Sequence, residues 1–515
     1  MKSFKQLFRM TYLVAAAMCM LLSSTGCKKF LDTERQGAYD ADNYPYPGGS
    51  GPYDQFIFSA YNELRSFNVH SLAFITAASI RSDDADKGST PADGGANAIT
   101  MDNFPVLPSN GFCNTLWLGY YTMITRCNST INEVNTNTTI TATDQIKQQT
   151  IAEARFLRAY AYFNLVRFFG RVPLIDKLFD NPAQQNNVPQ STAAQIYAFV
   201  EADLVFASAN LPLSWDSKFA GRVTRGAANG LLAKVYLTQQ KWNEAMAAAN
   251  AVITSGQYDL TTSYDRIFRE EGENSKESVF EVQATASSAI PSNNGVQYAQ
   301  IQGVRGAGIW DLGWGWNTPT TDLEAAYEAN DPRKNRTIMY TSTNTTTYQT
   351  LYGENLPTGL PNPRYNNKVY TNPATRASIG DRFGSWMNVR ILRYADVVLV
   401  YAEAANEVGG AANIIAARNA LNSIRARARA GNNTILPDVI AADQATLRDA
   451  IRKERRVELA MEHDRFFDLV RWGVAQTVLN AHGKTAFSNA RDVLLPIPQP
   501  QIDLSAGVLT QNPGY

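Results

Sequence analysis

Three tryptophans, Trp310, Trp314 and Trp316, fall in the run Gly306-Ala307-Gly308-Ile309-Trp310-Asp311-Leu312-Gly313-Trp314-Gly315-Trp316. Neither helical nor strand periodicity calls for large rings there. In an extended backbone Trp314 and Trp316 would share one face. Flat indoles stack on the apolar C–H faces of sugar rings, while amides and arginine bond the hydroxyls. Tyr298, Gln302 and Arg305 are close by in sequence. The expectation is a shallow sugar-binding platform made by Trp310, Trp314, Trp316, Tyr298 and Arg305. The same crowding also suits a small core of the segment's own, and that reading stays open.

Other chemistry is poorly represented. His70, His463 and His482 are the only histidines, and no two have metal-ligand spacing. Asp83, Asp84 and Asp86 could offer hard oxygens to Ca²⁺, but the glycine and distal glutamate of an EF-hand loop are missing. A Gly-x-Ser-x-Gly elbow does not occur. Carboxylate pairs of the glycosidase kind cannot be positioned from sequence. No catalytic residue, metal ligand or cofactor is therefore assigned. The charged run from Arg452 to Arg471 places like charges one helical turn apart, as in Glu454–Glu458 and Glu458–Glu462, so it needs opposite charges from other elements and reads as a scaffold ion-pair network.

The elements that must hold the tryptophan run are helices. Residues 145–169 form an amphipathic helix with Ile151, Ala154, Leu157, Ala161, Leu165 and Phe168 on one face, stopped at Gly170. Helical spacing recurs over 52–80, about 115–134, 193–210, 224–255, about 389–429 and about 444–462. In 224–255, Leu232, Ala233, Tyr236, Ala245, Ala249 and Val252 fall at the offsets of a tetratricopeptide unit. Trp117, Trp242 and Trp472 belong to these helical faces or turns, and Trp215 to a packed loop. Residues 82–112 read as a polar loop. Residues 256–388 are rich in Gly, Asn, Thr, Pro and aromatics, and such a long irregular stretch is usually functional. The predicted fold is mainly α: a helical-repeat, tetratricopeptide-like scaffold at about 51–255 and 389–515, with a large loop-rich lobe inserted at about 256–388.

The chain has 515 residues, 44% of them hydrophobic and 18% charged, which is enough for a large core. Residues 1–26 read as a leader: Lys2, Lys5 and Arg9, then an apolar stretch from Met10 to Leu22 too short to span a bilayer, then Ser23-Ser24-Thr25-Gly26-Cys27. Small residues ahead of Cys27 suit lipoprotein processing and lipidation at that thiol, leaving 27–50 as a tether. Without the leader, 44 basic face 47 acidic side chains, so charge alone draws neither nucleic acid nor an anionic membrane. Cys113 and Cys127 are expected as buried free thiols, because Cys127 lies in a helix starting near Thr115 and a bridge would require Cys113 to fold back over it; pairing stays open as the alternative.

Several segments, in order from residue 27 to residue 515, resemble the SusD/RagB family of outer-membrane nutrient-binding lipoproteins. They include Cys27-Lys28-Lys29-Phe30-Leu31-Asp32, Glu153-Ala154-Arg155-Phe156-Leu157-Arg158-Ala159-Tyr160 and Phe169-Gly170-Arg171-Val172-Pro173-Leu174. Arg393-Tyr394-Ala395-Asp396, Glu454-Arg455-Arg456-Val457-Glu458-Leu459, Arg465-Phe466-Phe467-Asp468-Leu469-Val470-Arg471-Trp472 and Asn512-Pro513-Gly514-Tyr515 complete the resemblance. It implies a Bacteroidota-type surface lipoprotein, anchored to the outer membrane and facing outward. It further implies a non-enzymatic protein that captures oligosaccharides or, in some members, peptides, and passes them to a SusC-like TonB-dependent transporter. It also adds Asn103 and Arg81, since family members often bring an N-terminal loop to the binding face. A surface carbohydrate-active enzyme and a helical-repeat adaptor are the alternatives.

Overall fold

The computed structural model describes residues 51–289 and 295–515. The leader, Cys27 and the tether lie outside the described residues. The long helices are α1 (Asp54–Glu63), α2 (Gly111–Thr136), α3 (Asp144–Phe169), α4 (Ala193–Asn210), α5 (Arg225–Thr238), α6 (Trp242–Ile253), α7 (Tyr394–Val408), α8 (Ala411–Arg429) and α9 (Gln444–Glu458). From α2 to α8 each packs on the next in chain order, and α9 packs on α7. The fold is mainly helical, as predicted. α6 lies against α7 although the whole lobe separates them in sequence.

Local chemistry explains the helix starts. The hydroxyls of Thr143, Thr192 and Thr224 and the carboxylate of Asp443 accept from backbone N–H groups of the first turns of α3, α4, α5 and α9. Thr192 and Gln195 close a reciprocal capping box. Fully buried Ala233, Ala245 and Ala249 let α5 and α6 approach closely. α3 is buried along almost all of Thr150–Phe169, so its amphipathic stripe understates how deep it sits. Cys113 and Cys127, both on α2, are buried free thiols, and burial pushes the Cys113 thiol up to about 12.

Short strands are β1 (Ala85–Gly88), β2 (Ser278–Val282), β3 (Trp316–Pro319), β4 (Ile338–Tyr340), β5 (Arg364–Asn366) and β6 (Val389–Arg393). They form three antiparallel ribbons, β1 with β3, β2 with β6, and β4 with β5, and a fourth short ribbon pairs Val172–Pro173 with Gln190–Ser191. Three local expectations change. The segment 82–112 is not simply a loop, because it holds β1 and the helix Gly95–Asn103. Residues 389–393 are strand, since Val389, Arg390, Leu392 and Arg393 pair with β2 before α7 begins at Tyr394. The helical pattern over 52–80 is broken after Glu63 and resumes as a short α-helix (Leu72–Ile75) running into a π-helix (Thr76–Ile80).

The charged run is interior. Fully buried Arg393 reaches Glu277 at 2.7 Å, Glu458 at 3.1 Å and Glu462 at 2.7 Å. Arg333, from the lobe, reaches Glu454 at 2.5 Å and Glu458 at 3.1 Å. Arg455 joins Asp396 at 2.6 Å and Asp468 at 2.8 Å. Burial alone would raise the Glu458 carboxyl, but Arg427, Arg393 and Arg333 outweigh it and hold it well below the usual carboxylate range. The Asp83–Asp86 oxygens are also engaged: Asp83 by Arg465 at 2.8 Å and Arg456 at 2.8 Å, and Asp84 by Arg456 at 2.7 Å. Asp86 faces His482. No group of His, Cys, Asp or Glu among the described residues is arranged to hold a metal ion.

Candidate functional site

The β1–β3 ribbon sets Gly88 opposite Trp316 and Asp86 opposite Thr318. It brings the segment 89–95 against the loop 303–316. That loop is pinned at its base, where Trp314 N donates to Gln300 O at 2.8 Å and Gly315 N to Gly303 O at 3.0 Å. Ser89 crosses between the two segments. Its N–H donates to Gly315 O at 2.6 Å, and its hydroxyl lies 2.7 Å from both Trp314 O and Asp93 Oδ2. Arg305 completes the edge, with Nη1 2.7 Å from Asp93 Oδ2 and 3.0 Å from Ser89 Oγ.

The predicted platform residues separate. Trp316 is 3% exposed and part of the main core, with the Lys87 ammonium 5.0 Å above its ring. Trp310 is 8% exposed and stacks on Tyr370 at 6.4 Å within a small cluster with Val304, Leu312 and Tyr365. Tyr298 turns its hydroxyl inward onto His463 Nε2 at 2.6 Å. Arg81 is fully buried, its guanidinium 4.0 Å from the Phe466 ring and bonded to Asp492 O. Trp314 is half-buried, Arg305 keeps about a third of its side chain in solvent (37%), and Asn103 is exposed at the end of its helix.

Trp310, Trp316, Arg81 and the Tyr298 hydroxyl therefore face inward, which corrects the picture of a row of displayed rings. The glycines serve close approach instead. A Cβ on Gly313 would lie 2.2 Å from Gln300 O, and one on Gly315, whose φ is +73°, would lie 2.8 Å from the Arg305 Cβ. What remains partly at the surface is an edge of Trp314, Arg305 and Asp93; Ile309, in the same loop, is 78% exposed. Ser89 and Asp93 were missed because they lie more than two hundred residues away in sequence from Arg305 and Trp314. Their only local signal is the polar Gly88-Ser89-Thr90-Pro91-Ala92-Asp93-Gly94-Gly95 run.

A second exposed aromatic was missed as well. Tyr348 stacks on Tyr340 with ring centroids 5.1 Å apart, at the end of the hydroxyl-rich run 341–347. The cavity lined by Phe163, Arg167, Lys234, Phe280, His463 and Asp464 holds about 40 Å³. Ligand pockets are usually several hundred Å³. That cavity is too small for an oligosaccharide.

Comparison with known proteins agrees with this architecture. The family described as "SusD family" matches residues 276–515, and the family described as "Starch-binding associating with outer membrane" matches residues 70–237. SusD-like protein P2 of Formosa agariphila is 28% identical over 451 residues, covering 85% of this chain and 87% of that one. A solved laminarin-binding SusD-like protein superimposes with a TM-score of 0.75 at 27% identity, over 90% of this chain and 99% of the other. Surface glycan-binding protein A from Bacteroides thetaiotaomicron, solved with laminarihexaose, gives 0.73 at 26% identity, over 89% and 98%. With both family matches lying on the helical scaffold and its lobe, the chain belongs to the SusD/RagB family.

Proposed function

We propose that this protein is a non-catalytic, lipid-anchored surface protein that binds glycans on the edge formed by Trp314, Arg305 and Asp93 and hands them to a TonB-dependent outer-membrane transporter. The observation that carries the reading is this half-buried edge on a fold shared with proteins solved as glycan binders. The Trp314 ring supplies a stacking face, and the ion pair beside it supplies donors and acceptors for hydroxyls. The open surface suits a long chain better than the small interior cavity does. Two lobe carboxylates are engaged by cations, Asp311 by Arg382 at 2.7 Å and Glu324 by Arg364 at 2.8 Å. Anchoring rests on the leader and Cys27, and outer-membrane association is in keeping with the family description. Asn103 is a weaker contributor at the margin.

Calorimetry with neutral hexasaccharides tests the site. Trp314→Ala should weaken binding by about 1–3 kcal/mol, by analogy with base–aromatic stacking, with little change in Tm. Arg305→Ala should weaken it as well. Tyr348→Ala is the control surface: if it abolishes binding while Trp314→Ala does not, the site lies on the Tyr340–Tyr348 stack instead.

A further inference from the structure

The cations around the loop 303–316 are already neutralised or turned inward. Arg305 is paired with Asp93 at 2.7 Å, and Arg382 with Asp311 at 2.7 Å. Lys87 points its ammonium at backbone carbonyls, 2.7 Å from Thr90 O and 3.3 Å from Gly88 O and Asp93 O, over the Trp316 ring. Asp93 is held in place by the Ser89 hydroxyl and the Thr90 N–H, at 2.7 and 3.2 Å. Those hydrogen bonds keep its carboxyl down at about 2, so it is ionised at any physiological pH.

Resting on the glycan reading above, and narrowing it, we propose that this edge selects uncharged glycans and rejects those carrying uronate or sulfate groups. A sugar hydroxyl both donates and accepts. A guanidinium–carboxylate pair offers both partners side by side, so a neutral chain can bond to its outer atoms without separating the charges. A carboxylate or sulfate only accepts. To reach Arg305 it must either displace Asp93 or sit beside that like charge, and charge juxtaposition of this kind is how interfaces exclude wrong partners. Asp93 is then a specificity-determining residue, an acceptor for neutral ligands and a barrier to anionic ones.

The test uses the mature chain and two sets of hexasaccharides. One is neutral (laminari-, malto- and cellohexaose) and one anionic (oligogalacturonate and a sulfated oligosaccharide). The wild type should bind at least one neutral ligand and no anionic one. Asp93→Asn keeps the side-chain shape and the Ser89 contact but removes the charge. It should raise affinity for oligogalacturonate about tenfold, the order expected for unmasking one charged contact, while neutral binding falls, because a charged acceptor of the pair becomes a weaker neutral one; the readout is the opposite sign of the two changes. Asp311→Asn, which unmasks Arg382, repeats the experiment at a second position in case Asp93→Asn lowers Tm. Wild-type preference for an anionic ligand overturns the inference and leaves the glycan reading intact. So does equal exclusion of anions by wild type and both variants, because the masking carboxylates would then not be the cause. Binding to neither set overturns the glycan reading, and this inference with it.

Discussion

Two tryptophans separated by a single glycine have opposite duties here, and the difference can be measured. Trp316 lies in the core and Trp314 at the edge. Trp316→Ala, and Trp310→Ala beside Tyr370, should each cost about 3–5 kcal/mol, the usual range for deleting a buried aromatic, read as a lower urea midpoint. Trp314→Ala should cost far less stability. Buried histidines give a second residue-scale outcome. His70 Nδ1–H donates to Leu64 O at 2.7 Å, so Nε2 accepts from the Tyr160 hydroxyl, and the neutral ring is the one that fits. Burial lowers His70 and His463 from 6.5 to about 4. Between those values the unfolded chain binds more protons than the folded one, so stability is lost as pH falls from 6.5 to 4, on the order of 3 kcal/mol per group at the full shift. Glu273 runs the other way. Burial raises it from 4.5 to about 7 despite Arg390, so the folded state holds a proton the unfolded chain has released, and stability is lost as pH rises between those values. Glu273→Gln should raise Tm at about pH 8 and do nothing at about pH 4, while His70→Gln should flatten the acid limb. At this scale the sequence announced rings and an arginine but not their direction, because which way a side chain turns was decided by residues far along the chain, such as His463 for Tyr298 and Phe466 for Arg81.

Between elements, the β2–β6 ribbon and the guanidinium of Arg393 join lobe to scaffold. Arg393→Met should cost about 3–5 kcal/mol, since Glu277, Glu458 and Glu462 would stay buried without their shared cation. A loss below about 1 kcal/mol in urea denaturation, the range of an exposed pair, would show that the network is hydrated and weak. The long helices were legible in the sequence because 3.6-residue periodicity repeats many times in α3 and because Thr192 and Gln195 mark a start. Short strands carry no such repetition. β1 is four residues, Ala-Asp-Lys-Gly, with no β-branched side chain, and only its partner 230 residues onward makes it a strand. β6 was absorbed into the helix pattern that follows because its apolar residues continue directly into α7.

Across the whole molecule, lobe and scaffold share the Arg393 and Arg333 networks and the β2–β6 ribbon, so residues 53–515 should unfold in one calorimetric transition rather than two. A separate early transition matching the lobe would contradict that coupling. Anchoring is tested separately: Cys27→Ala should leave Tm unchanged and move the protein out of the membrane fraction of cells lacking the transporter. The helical succession could be read from sequence because neighbours in the chain are neighbours in space. The edge at Trp314 could not, because it is assembled from two stretches more than two hundred residues apart that the pairing of β1 with β3 brings together. That pairing has a bearing on inheritance and engineering. Residues 89–95 and 303–316 form one surface encoded in two places, so a change in one is tolerated only as the other permits, and the two should drift together through evolution. Transplanting residues 303–316 alone into a related protein would carry Arg305 without Asp93 and Trp314 without Ser89 beneath it. Ligand preference would travel only when both stretches are moved as a pair.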